Sequence, residues 1–309
     1  MGRFPILAVS ALLLICGLLS SCERNPSEVN APSTRIIREE TLVIGVLPEK
    51  NVFEQRRRYQ PLTEYLSDVL HMNVRIKLLD SYGAIARELE EQVIDAAVLG
   101  SLNYVLMHER GYVLPVARLV DLTHGADYRS IVFTRHDTGI TEDIRSWKDK
   151  DIALVHPATL AGALFPRWYL YQSEKIDMSW YFNTVRYMGS HDSVVLAVYN
   201  GHAHLGAAKD DVIRAMQSDW PELQEGLLIL TISEPVPSNT LSLRSDLADT
   251  LLERLQETLV SMHTYQQGIT ALQQLEASSF VATRDEEFDS LRVMMYELGV
   301  DSSHFSFAD

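Results

Sequence analysis

From residue 41 onward the chain alternates short apolar runs with longer stretches in which apolar residues recur every three or four positions. The run 41–47 (TLVIGVL) is β-branched, uninterrupted and closed by Pro48, the pattern of a buried strand. Leu62, Tyr65, Leu66, Val69 and Leu70 follow at helical spacing, with Pro61 in the first turn, where a missing N–H is harmless. Val74, Ile76 and Leu78 alternate with Arg75 and Lys77, so the next strand has one polar face. The same reading predicts strands over 94–99, 113–117, 129–135, 151–155, 185–188, 204–208 and 227–232. It predicts helices over 82–92, 101–110, 160–172 and 192–200. In the C-terminal third Leu247, Leu251, Leu252, Leu255 and Leu259 mark one amphipathic helix. Phe288, Leu291, Met295 and Leu298 mark another, opened by Thr283 and Glu286 as a capping box.

Strand and helix in short alternating units predict mostly parallel sheets covered by helices. Two such blocks, joined near 129–135 and again near 231–240, predict an α/β protein of two lobes with a ligand cleft between them and two crossover strands. Residues 41–133 plus 236–309 form a discontinuous first lobe, and 134–235 the second. Ligands of such sheets bind beyond the carboxyl ends of the strands, here where the lobes meet. No period of 20–50 residues recurs, which excludes a solenoid.

The first 22 residues read as an export address. Arg3 is followed by a charge-free apolar run over 4–19 that is shorter than the ~20 residues a membrane-spanning helix needs. The run ends in Leu19, Ser20, Ser21 and Cys22, which resembles a bacterial lipobox. That resemblance implies cleavage before Cys22 and lipid on its thiol; the alternative is an uncleaved signal anchor. Residues 23–40 are polar, carry Pro26 and Pro32 and lack periodicity, so they read as a flexible tether with a reach of about 25 Å. The expected location is exported and lipid-anchored at the cell membrane, on its periplasmic or extracytoplasmic face.

Composition narrows the chemistry. The net charge of −15 argues against a nucleic-acid partner. The only cysteines, Cys16 and Cys22, lie in the leader, so the body holds no disulfide, no cysteine nucleophile and no cysteine-based zinc site. His202 and His204, whose side chains are expected to share one strand face across Ala203, are a weak metal pair without a third ligand, and no metal or cofactor is expected. The chain contains no G-x-S-x-G, H-E-x-x-H or P-loop motif, so no enzymatic activity is expected.

Several segments together, in order and spacing, resemble the phosphate/phosphite/phosphonate-type (PhnD-like) solute-binding proteins of ABC transporters. They are 59–66 (YQPLTEYL), 80–85 (DSYGAI), 95–100 (DAAVLG) with Asn103 and Tyr104, and 128–130 (YRS). His156 with Pro157, His191 with Asp192, 280–283 (FVAT) and 288–292 (FDSLR) complete the set. The resemblance implies a periplasmic-binding-protein-like fold of type II and an oxyanion seated at the N-terminus of the helix after the first strand of lobe two. Such a helix end carries about half a positive charge and several unpaired N–H groups. Phosphonate binders offer a run of hydroxyls at this turn, whereas here only Thr159 remains beside Leu160 and Ala161. Two missing charged hydrogen bonds forfeit roughly 3–6 kcal/mol, so another anion or a polar ligand stays open.

The ligand-binding candidates are therefore Tyr82, Tyr104, Tyr128, Thr159 and His191. Tyr104 is expected to supply an aromatic wall, and the other four each have a plain alternative: Thr159 as a helix cap, Tyr82 as a core tyrosine, His191 as a local cap with Asp192, and Tyr128 pointing either way. An acid on the ligand side of the second-lobe strand is replaced by His204, and no role is carried onto it. The partners implied are a small polar or anionic solute, an ABC permease, and the membrane through lipid on Cys22. A membrane sensor such as a kinase or cyclase is the alternative recipient of the signal.

Overall fold

The computed structural model describes residues 41–47 and 52–307. The leader, the lipobox Cys22 and the tether lie outside the described residues.

The first part of the chain builds β1 (Thr41–Val46), α1 (Val52–Leu70), β2 (Asn73–Leu78), α2 (Tyr82–Glu90), β3 (Ala96–Leu99), α3 (Ser101–Glu109) and β4 (Val113–Asp121). A two-residue strand β5 (Asp127–Tyr128) leads into β6 (Ser130–Arg135). The second part follows as β7 (Asp151–Leu154), α4 (Phe165–Glu174), α5 (Met178–Tyr181), β8 (Thr184–Tyr187), α6 (His191–Tyr199) and β9 (Leu205–Lys209). It ends with α7 (Asp210–Asp219), α8 (Glu222–Gly226) and β10 (Leu227–Ile232). The chain then returns through β11 (Val236–Pro237), β12 (Thr240–Arg244), α9 (Asp249–Ser261), α10 (Gln266–Gln274), β13 (Ala277–Ala282) and α11 (Asp289–Glu297). Among the described residues no helix is long and apolar enough to cross a membrane.

The strands form a six-stranded sheet, β13-β4-β12-β3-β1-β2, and a five-stranded sheet, β10-β6-β9-β7-β8. Parallel pairing is confined to β3–β1–β2 and β9–β7–β8, where a helix makes each crossover. The strands around the two crossings, β4 with β12 and β6 with β10, pair antiparallel. Both sheets are therefore mixed rather than mostly parallel. The two crossings also pair with each other, Val236 against Tyr128 and Pro237 against Asp127, as a short ribbon between the sheets.

Burial explains this arrangement. Ile44, Val46, Leu66, Ala96, Leu243, Leu259 and Leu272 form one apolar core under α1, α9 and α10. A larger core contains Leu99 and Val105 of the first part, Ile152 and Leu154 of the second, and Leu291 of the C-terminal helix. The α11 helix is tied to α4 as well: the Glu297 carboxylate accepts from Trp168 Nε1 and Gln172 Nε2, both at 2.5 Å.

Two local expectations fail. Thr283 and Glu286 form no capping box, because Thr283 is buried with its N–H on Val116 O (3.2 Å) and α11 begins only at Asp289. His202 and His204 do not share a strand face, because β9 begins at Leu205. His204 Nδ1 instead accepts the Asp151 N–H at 3.1 Å, and its side chain is half exposed.

Candidate functional site

Six strands end at one opening. Segments following β1, β2 and β3 in the first sheet, and β7, β8 and β9 in the second, line a cavity of about 300 Å³. This is where a crossover sheet leaves its loops and helix N-termini, so its walls are rich in unpaired backbone and short polar side chains.

The wall after β7 holds the turn singled out in the sequence. Thr159 is buried and in extended conformation, and it precedes a wide π-helical turn over Leu160–Leu164 that continues into α4. The turn closes with Leu164 N–H on Thr159 O (3.0 Å), one residue further back than in an α-helix. Consequently the amides of residues 160–162 precede the first helical bond and have no acceptor among the described residues. Gly162 makes this geometry possible. Its carbonyl accepts the Val155 N–H (3.0 Å), and a Cβ there would lie 2.3 Å from Val155 Cγ2. The Thr159 hydroxyl, however, donates to His156 O at 2.7 Å. Its single proton is committed to the turn, so in this conformation it has none to give an anion.

Ser190 caps α6, accepting the Ser193 N–H at 3.4 Å, and places His191 as the first helical residue. His191 Nδ1 accepts the Lys209 N–H at 3.2 Å. That bond fixes the neutral tautomer with its proton on Nε2. Loss of hydration between the cleft walls, and secondarily the positive charge of Lys209, push its pKa down to about 3. His191 is thus a neutral N–H donor at physiological pH.

Tyr82 begins α2, whose cap Ser81 accepts the Ala84 N–H at 3.2 Å. Its ring stacks on His156, centroids 4.7 Å apart and planes 16° from parallel. The pair joins an element of the first sheet to one of the second. Tyr128 is buried beside the ribbon. Ser101 donates to Pro237 O (2.6 Å), which leaves the Tyr128 hydroxyl to donate to Ser101 Oγ (3.0 Å). Burial raises the Tyr128 pKa, so the phenol stays protonated.

Tyr82, Tyr128, Thr159 and His191 therefore line one cleft. Tyr104 does not. On α3 the cleft takes Ser101, Leu102 and Asn103, and the next helical position turns inward. Tyr104 is fully buried against Phe288 (4.3 Å) and donates to Asp285 Oδ1 at 2.7 Å. Arg292 binds the same oxygen at 2.6 Å. Burial opposes ionisation of Asp285, but the bonds from Arg292 and Tyr104 outweigh it and hold its pKa below the usual carboxylate value. This network anchors α3 to the C-terminal helix.

Sequence reasoning missed Lys209 and Asn239. Lys209 ends β9, and its ammonium donates to Asn239 Oδ1 at 2.8 Å while lying 4.6 Å from the Tyr128 ring centroid. The available signal was positional: a lysine at the carboxyl end of a predicted strand, followed directly by the acidic first turn of a helix.

A family model described as the phosphonate periplasmic substrate-binding protein of ABC transporters matches residues 44–288. The phosphate-import protein PhnD of Mycolicibacterium smegmatis is 24% identical over 197 residues, 61% of this chain and 61% of that protein. The match thus spans less than two thirds of that relative's length. PhnD1 of Prochlorococcus marinus, solved with methylphosphonate, superposes with a TM-score of 0.74 at 16% identity, covering 85% of this chain and 100% of its own. A binding-protein component of an ABC phosphonate transporter from Pseudomonas aeruginosa gives 0.74 at 18% identity, covering 87% and 90%. At these identities the two solved structures establish the fold, a type II periplasmic-binding-protein architecture.

Proposed function

The chain belongs to the phosphonate-type periplasmic substrate-binding proteins of ABC transporters, and from that premise we propose that it captures a small polar or anionic solute by lobe closure. The solute's head is phosphate- or phosphonate-like, and the recipient is an ABC permease. The two bodies that close follow the two sheets, with the change of lobe at β5 and β11. The observation that carries the reading is the cleft itself. It gathers the uncapped turn after Thr159, the neutral His191 donor, Tyr82 and Tyr128 around a cavity of about 300 Å³.

The backbone amides of residues 160 and 161, rather than the Thr159 hydroxyl, hold the anion. That answers the missing hydroxyl run: an amide donor at a helix start needs no particular side chain. Export and attachment through lipid on Cys22 complete the proposal, and Cys22→Ala then yields protein released from the membrane fraction.

The direct test is a thermal-shift series with inorganic phosphate, methylphosphonate, sulfate and small neutral solutes. A ligand at 100 times its dissociation constant adds about 2.7 kcal/mol, which moves the melting curve clearly. Stabilisation by phosphate or methylphosphonate supports the reading. A shift with neutral solutes alone contradicts it.

A further inference from the structure

The cleft contains more acidic than basic side chains: Asp80, Asp121, Asp127, Asp192 and Asp211 against Arg58 and Lys209. An anion cannot be attracted by that inventory taken as a sum, so what matters is which charges are already engaged. Asp121 Oδ1 accepts the N–H groups of Thr123 and His124 at 2.7 and 3.0 Å. Asp192 accepts the Ser193 N–H at 2.8 Å, and Asp211 the Val212 N–H at 2.7 Å. Asp127 lies 3.7 Å from Arg118, and Asp80 is exposed to solvent. Arg58 donates to Leu275 O (2.7 Å) and pairs with Glu276 at 3.5 Å.

Lys209 differs from Arg58, the other cation of the cleft, which is paired with Glu276. No carboxylate among the described residues lies within the 4.0 Å of an ion pair with its ammonium. Its contacts are neutral: the Asn239 amide oxygen and the face of the Tyr128 ring. Such contacts orient an ammonium without discharging it. The strand also delivers it to the right place. Lys209 pairs in register with Ser130, whose hydroxyl donates to Ala161 O at 2.8 Å, and β9 packs against the 160–164 turn.

We infer that Lys209 is a ligand-binding, specificity-determining residue: its ammonium, aimed by Asn239 and Tyr128, pairs with the oxyanion at the 160–161 turn and favours a doubly ionised head over a singly charged one. One cation beside a helix end of about half a positive charge suits a dianion, whereas His191 adds a donor without charge. This rests on the anion reading of the cleft proposed above.

The test is calorimetric titration of the full chain with methylphosphonate at pH 8, at low and high potassium chloride. Lys209→Met is expected to weaken binding by about 10- to 100-fold at low salt, and the deficit is expected to shrink as salt screens the charge. Lys209→Arg retains most of the affinity, and Asn239→Ala loses a smaller factor because the ammonium is no longer aimed. If Lys209→Met fails to fold, the Lys209→Arg and Asn239→Ala pair carries the test through the same salt dependence. Binding by Lys209→Met within two-fold of the parent, or a loss equal at both salt levels, overturns the inference. A parent protein that binds neither methylphosphonate nor phosphate instead overturns the anion reading and this inference with it.

Discussion

Two turns facing the same cleft have opposite chemistry. At the start of α6, Ser190 and Asp192 both turn toward the Ser193 N–H, and Ser190 also bonds Asp192, so that amide is satisfied by side chains of its own turn. At the turn after β7, Thr159 directs its hydroxyl backward to His156 O, and the amides of residues 160–162 are left for something else. A capped end stabilises the fold, with substitution of the cap costing about 0.5–2 kcal/mol. An uncapped end against an open cavity leaves that stabilisation to be supplied by whatever binds there. Ser190 turns its hydroxyl forward onto its helix and Thr159 turns its own backward, which is why residue type alone does not tell a cap from a site.

Substitution of Gly162 should break the comparison most severely. Any Cβ there meets Val155 at 2.3 Å, so Gly162→Ala must push the turn away from β7. Overpacking of this kind costs about 1–3 kcal/mol, and ligand affinity should be lost with the displaced amides. Urea denaturation and calorimetric titration measure the two effects.

His191→Asn comes next. It removes the Nε2 donor and should weaken methylphosphonate binding by about ten-fold, one charge-assisted hydrogen bond. It should also change the acid response of the fold. An unfolded histidine titrates near 6.5, whereas His191 in the folded protein is pushed down to about 3 by burial and by Lys209. Between those values the unfolded state binds the extra proton, so stability falls as pH drops from about 6.5 towards 3. Melting temperatures at pH 7 and pH 4.5 should therefore diverge less in His191→Asn than in the parent.

The two hydroxyl variants sharpen the contrast at smaller scale. Ser190→Ala should lower stability by about 1 kcal/mol through the lost cap and leave affinity within two-fold. Thr159→Val should cost no more than about 1 kcal/mol and also leave affinity within two-fold, because its proton already belongs to His156 O. A large loss of binding in Thr159→Val would mean that the hydroxyl rotates onto the ligand, and the contrast between the turns would disappear.

Much of the architecture was legible in periodicity, because buried parallel strands such as β1, β3 and β7 are continuous apolar runs between helical repeats. The returning strands β12 (TLSLR) and β13 (ASSFVA) were not, since Ser242, Ser278 and Ser279 interrupt the apolar signal. The α10 helix was hidden by a similar mixture of glutamine, threonine and glycine. For the site, Tyr82, Tyr128, Thr159 and His191 could be placed because each sits at a strand end or helix start. Tyr104 was misplaced because a helix turns about 100° per residue, so its neighbour Asn103 faces the cleft while it does not. Lys209 escaped notice because its significance depends on the absence of a nearby carboxylate among the described residues, and only three-dimensional placement reveals that.

The most direct measurement is an amide-resolved NMR titration of the full chain with methylphosphonate. Saturable downfield movement of the Leu160 and Ala161 amide protons, larger than that of the capped Ser193 amide, is the expected result. Saturable binding that leaves those two amides unmoved would contradict the claim that the turn after β7 holds the anion.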